Sequence, residues 1–149
     1  MKKKKSNIVW IIVLLLTLII FYTCHYFNIN FGGVYMPYIN LKTTKTVAPE
    51  KCEAIKVAFG KAIESFPGKS EAWLMVGIED GAKLWFKGDA SSDSAIVDVD
   101  LFGQVNSDAS EKMTKVVCDI LENELGISPD RIYVKYTGYS DWGWNGGNF

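Results

Sequence analysis

Chemistry at neutral pH needs groups that exchange a proton there or hold a metal, and this chain has few of them. His25 is the only histidine and lies in the leading segment, so Ser-His-Asp and Cys-His catalysis and most zinc chemistry are excluded from the rest of the chain. Cys24, Cys52 and Cys118 are far apart and form no C-x-x-C pair, which points to neither a disulfide framework nor a zinc site. Cys52 and Cys118 fall on the apolar stripes of expected helices and read as buried free thiols. Asp98 and Asp100 stand two apart on one face of an expected strand; solvent or a subunit interface is their expected environment. GDASSDS, residues 88–94, lacks the spacing of an EF-hand loop, so no calcium is expected and no metal ligands are assigned. The Met36-Pro37 pair in VYMPYINLK, residues 34–42, raises a separate question. Met36 is either an internal residue or the start of a protein whose working end is Pro37.

The elements that must position these residues divide unevenly along the 149-residue chain. Residues 1–35 carry Lys2 to Lys5, no acidic residue, and the apolar run from Ile8 to Tyr22. A lysine-led apolar run of about 20 residues fits a single membrane-spanning helix over residues 8–27, with the lysines cytoplasmic and the domain outside. No small-x-small cleavage site follows it. The other reading is translated AT-rich upstream sequence. Gly32-Gly33, if encoded GGAGG, would then be a ribosome-binding site before Met36, and the protein would be soluble, cytoplasmic or secreted. Both readings stand at this point. The remainder holds all 17 acidic residues, and Arg131 is its only arginine. A net negative domain with a single arginine is not a nucleic-acid surface. The 48% apolar content of the whole chain suffices for one core at this length.

From Pro37 the chain reads strand, helix, strand, twice over. YINLKTT (38–44) alternates, and Pro49 then opens a helix in which Cys52, Ile55, Phe59, Ala62 and Phe66 form one stripe, stopped by Pro67-Gly68. AWLMVGIE (72–79) reads as a strand and KLWFKG (83–88) as a short edge strand. In the second unit, AIVDVDLFGQV (95–105) alternates. The helix over 107–126 places Ala109, Met113, Val116, Ile120 and Leu121 on one face and ends at Gly126, and RIYVKYTG (131–138) is a further strand. Two such units fit an α/β sandwich, with a four-stranded mixed sheet covered on one face by two helices. The other sheet face is left bare, and association through the sheets is expected.

GISPDRIYVKY, residues 126–136, resembles the family of macrophage migration inhibitory factor in the tautomerase superfamily. The likeness extends to MPYIN at 36–40, to Gly68-Lys69 after the first helix, and to GWN at 143–145 followed by a closing Phe149. It runs in order over essentially all of residues 36–149. The resemblance implies a homotrimer of β-α-β repeats with active sites between subunits. It also implies cofactor-free proton transfer between keto and enol forms of acids such as phenylpyruvate, with dopachrome-type compounds as further substrates. The family's general base is an amino-terminal proline exposed when the initiator methionine is removed, here Pro37. Within a chain that nitrogen is an amide, whereas at the terminus it is a secondary amine whose reference pKa lies at about 7.7 to 8.0.

By the same resemblance Lys69 binds the substrate carboxylate and holds down the pKa of Pro37, and Tyr133 reaches a neighbouring subunit's site to orient the substrate. Phe102, Trp142, Trp144 and Phe149 form the aromatic wall. The glycine-rich tail that carries the last three is too irregular to pack as a regular element. Lys135 stands where many members have Asn, a departure expected either to strengthen binding of an anionic substrate or to alter its choice. SAIVD, residues 94–98, stands in place of the vertebrate cytokine's C-x-x-C, so no thiol-disulfide activity is implied. Two alternatives to the enzyme remain: a receptor-binding signalling trimer, and a membrane-tethered, inactive homologue whose Pro37 is blocked by its own stalk.

Overall fold

The computed structural model describes residues 13–19 and 36–148. The chain divides into two units, between Val34 and Tyr35. In the first, residues 13–19 are helical (α1). Among the described residues no helix is long and apolar enough to cross a membrane; apart from 13–19, the anchor expected over 8–27 lies outside them.

In the second unit the order is β1 (Pro37–Thr43), α2 (Pro49–Ala62), β2 (Met75–Glu79), β3 (Ala95–Phe102), α3 (Ser107–Leu125), β4 (Ile132–Tyr139) and a small hairpin, β5 (Gly143–Trp144) with β6 (Gly147–Asn148). The sheet order is β2-β1-β3-β4. β1 and β2 are parallel, as are β3 and β4, while β1 and β3 are antiparallel at the centre. Parallel neighbours require a long crossover, and each helix supplies one. The result is two β-α-β units joined back to back in a mixed four-stranded sheet, as the alternating pattern implied.

Period-two patterning sorts the sheet into two faces. Ile39, Leu41, Val97, Val99 and Leu101 are wholly buried against Ile55, Phe59, Met113, Val117 and Leu121 of the helices. Each such side chain contributes about 1.5–3 kcal/mol through removal from water. α3 is well capped: Asn106 accepts from the Ala109 N–H at 2.9 Å, and Gly126 adopts φ 67° at the other end.

Several expectations need correction. The buried stripe of α3 is Ala109, Met113, Val117, Leu121 and Leu125; Val116 faces outward and Ile120 is only partly buried. Val116 and Val117 are both apolar, and the core geometry decides between them. Cys52 and Cys118 are partly rather than fully buried; burial still pushes the Cys118 thiol pKa up. Residues 71–73 form a 3-10 turn, so β2 is shorter than AWLMVGIE. KLWFKG adds to neither sheet edge: Lys87 at φ 53° and Gly88 at φ 77° turn it back, and it makes only the Phe86–Asp89 bridge. The tail, expected to be irregular, closes as the β5–β6 hairpin, its turn supplied by Asn145 and Gly146 at positive φ.

Candidate active site

Three of the expected site residues converge at one end of the sheet. Pro37 begins β1, is buried, and lies opposite Leu101 on β3. The next residue, Phe102, donates its N–H to the Met36 carbonyl at 3.4 Å. Its own carbonyl accepts from the Lys69 ammonium at 2.8 Å. Lys69 reaches this point because Pro67-Gly68 ends the helical run, with Gly68 at φ 78°, and turns the chain toward β2. It is only 8% exposed. Burial lowers its pKa to about 8, since the charged form loses hydration. The ammonium is therefore mostly charged at pH 7 and loses its charge as the pH rises through about 8.

Two hollows lie at this end of the sheet, and the lysine lines one of them. One of about 240 Å³ is lined by Phe66, Pro67, Lys69, Gln104 and Asn106. The other, about 560 Å³, is lined by Gly103, Gln104, Val105, Gly138, Tyr139 and Ser140. Gln104 borders both. Glycine is required in the second, where a Cβ on Gly138 would run into the Gly103 carbonyl oxygen. Pro37 borders neither hollow. It carries Met36 in peptide linkage, and Met36 is itself 6% exposed.

The aromatic residues divide. The Trp142 ring meets Tyr139 edge to face at 5.6 Å, at the end of β4 that lies beside the end of β3. Trp144 meets Trp73 edge to face at 5.5 Å. The tail therefore runs from the end of β4 to the turn preceding β2, across the sheet end where Pro37 begins. Trp73 is a rim residue that the sequence reading passed over, because AWLM read as the interior of a strand. Gln104 and Asn106 were also passed over, being polar residues in a loop without a motif. Phe149 lies outside the described residues.

Tyr133 and Lys135 are elsewhere in the protomer. In register, Tyr133 is level with Ile96 and Lys42, and Lys135 with Asp98 and Asn40. Five residues along β1 separate Pro37 from the Tyr133 level, about 17 Å at strand spacing. Both side chains lie on the face without helices. Tyr133 is 60% exposed, with its ring 5.3 Å from that of Phe86. Lys135 holds Asp98 at 2.6 Å, and that contact raises its pKa. The same face carries Tyr38, Asn40 and Asp100, and Lys42 paired to Glu79 at 3.1 Å. Burial, then Asp98, push the Asp100 pKa up. Among the described residues no group of three or more His, Cys, Asp or Glu is placed to hold a metal.

Residues 36–149 match the family described as macrophage migration inhibitory factor (MIF). The chain is 28% identical over 91 residues to the macrophage migration inhibitory factor of Xenopus laevis, covering 60% of this chain and 78% of that one. With that of Meriones unguiculatus it shares 30% identity over 84 residues, 55% of this chain and 72% of that one. Among solved structures it is similar to Leishmania major MIF2, with a TM-score of 0.73 at 28% identity, covering 78% of this chain and all of that chain. The macrophage migration inhibitory factor of Toxoplasma gondii gives 0.70 at 24% identity, with coverage of 75% and 99%. The Leishmania chain is matched along its whole length by part of this one.

Proposed function

The chain belongs to the macrophage migration inhibitory factor family, and on that premise we propose that it is a cofactor-free keto-enol tautomerase of small 2-oxo acids such as phenylpyruvate, with dopachrome-type compounds as further substrates. Its active form begins at Pro37, after translation from Met36 and removal of that methionine. The convergence of Pro37 with a buried lysine carries the reading. Lys69 donates to the carbonyl of Phe102, whose N–H is bonded to the residue before Pro37.

In this mechanism the terminal Pro37 nitrogen is a neutral secondary amine. The substrate carboxylate docks on the Lys69 ammonium. The amine takes a proton from the carbon next to the carbonyl, the electron pair of that C–H bond forms the carbon–carbon double bond as the carbonyl π pair moves to oxygen, and the protonated amine, directly or through water, returns a proton to that oxygen to give the enol. The reverse sequence gives the ketone. The nearby cation disfavours protonated proline and brings the base toward neutral pH, where general-base catalysis works best. Phe102, Trp73, Trp142 and Trp144 wall the aromatic end of the substrate.

The active assembly is a homotrimer in which the bare sheet faces meet. Tyr133 and Lys135, about 17 and 10 Å along the sheet from Pro37 within one chain, then face a neighbouring subunit's site, where Tyr133 orients the substrate. Under the other reading of the leader, residues 1–35 anchor the chain in a membrane. Pro37 is then an amide and the same fold is catalytically silent, available only as a binding or signalling trimer. The protein expressed from Met36 should turn over phenylpyruvate. Pro37→Gly should reduce kcat/KM by about a hundredfold, the contribution of a well-placed general base; equal turnover by the two proteins would exclude Pro37 as the base.

A further inference from the structure

Lys135 is the one cation that the sequence reading added to the site beyond the family pattern, and its ammonium is already engaged. Asp98 Oδ1 lies 2.6 Å from it, across the parallel β3–β4 ladder in which the two residues are direct partners. The Asp98 side chain is 32% exposed and that of Lys135 59%. The neighbouring carboxylate, Asp100, also acts on Lys135 through its charge, and Asp98 is the counter-ion in contact. On the other side Asp98 is level with Asn40, whose amide donates to Glu79 at 2.7 Å. A pair fixed by strand register differs from two surface side chains that meet by chance, because the backbone ladder sets where both begin.

Resting on the reading above, in which Lys135 faces a neighbouring subunit's site, we infer that Asp98 is a specificity-determining positioning residue that commits Lys135 internally, so that the site selects monocarboxylic over dicarboxylic 2-oxo acids. The single carboxylate of a monoacid is met by Lys69. A second carboxylate gains nothing by approaching Lys135: it must displace Asp98, trading one ion pair for another, and then sit beside the displaced anion. Discrimination of this kind comes from a repulsive element as much as from an attractive one.

The test measures kcat and KM of the Met36-started protein for phenylpyruvate and for oxaloacetate, a 2-oxo dicarboxylate, by following the enol absorbance. Asp98→Asn keeps the shape of the side chain and removes its charge. It should raise the dicarboxylate-to-monocarboxylate ratio of kcat/KM five- to tenfold, through a lower KM for the dicarboxylate. Adding Lys135→Gln should return the ratio to the wild-type value, since the two residues act as one unit. A ratio within twofold of wild type in Asp98→Asn overturns the inference and leaves the tautomerase reading standing. Absence of phenylpyruvate turnover by the wild type removes both. If Asp98→Asn fails to fold, Lys135→Gln alone decides: a ratio within twofold of wild type supports an internally committed lysine, and a fivefold fall overturns it.

Discussion

The two β-α-β units each place one cation in the loop between helix and second strand, and the two cations do opposite things. In the first unit Lys69 precedes β2 and donates to the Phe102 carbonyl at the end of β3. In the second, Arg131 precedes β4 and is spent on the segment leading into β3. Its guanidinium donates to the Asp93 carbonyl at 2.9 Å and the Ser92 carbonyl at 2.8 Å, pairs with Asp89 at 3.2 Å, and lies 5.4 Å from the Phe86 ring. Guanidinium is a rigid fork of donors with a permanent charge, suited to tying down a loop. An ammonium on a flexible stem, with its pKa brought to about 8 by burial, can receive a ligand and lose its charge. The loop between helix and second strand thus carries a clamp in one half and a proposed anion site in the other.

Substitution should separate the two roles. Lys69→Ala is expected to lower kcat/KM for phenylpyruvate about a hundredfold, while denaturant titration shows a stability change within about 1 kcal/mol, because the lost hydrogen bond is offset by relief of burying an amine. Arg131→Ala should do the reverse. Loss of stability larger than in Lys69→Ala is expected, because the guanidinium ties together the carbonyls of Ser92 and Asp93, with kcat/KM of the folded protein lowered far less than in Lys69→Ala. If Arg131→Ala lost turnover and kept full stability, the division between clamp and anion site would be wrong.

A pH series sharpens the same contrast. Burial lowers the Lys69 pKa to about 8, so its ammonium is present below that pH and lost above it. Apparent affinity for an anionic substrate should therefore fall by up to tenfold per pH unit above 8, and Lys69→Arg should flatten that limb. The smallest effect belongs to the start of α3, where Asn106→Ala removes the cap on Ala109. About 1 kcal/mol of stability should be lost. Asn106 also borders the hollow beside Lys69, so a modest rise in KM is expected with it.

What could be read in advance depended on whether the cause was local. Alternation in AIVDVDLF and the stripe through Ile55, Phe59 and Ala62 are properties of one segment, and both elements formed as patterned. Alternation in KLWFKG says only that the segment has two faces; a ladder also needs a partner, and within the protomer it finds one bridge. Pro37 and Lys69 were found through the family pattern, and their meeting at the end of β3 follows from topology. The Lys135–Asp98 pair depends on the register of β3 against β4, and the Trp73–Trp144 contact on how the tail crosses the sheet end. Neither is visible in the segments taken separately.

The proposed catalysis depends on the chemical state of one nitrogen, that of Pro37. Amino-terminal sequencing of the native, phenylpyruvate-active protein measures it directly. Pro37 should be the first residue; turnover by a homogeneous species that begins at Met1, with Pro37 held as an amide, would contradict the proposed mechanism.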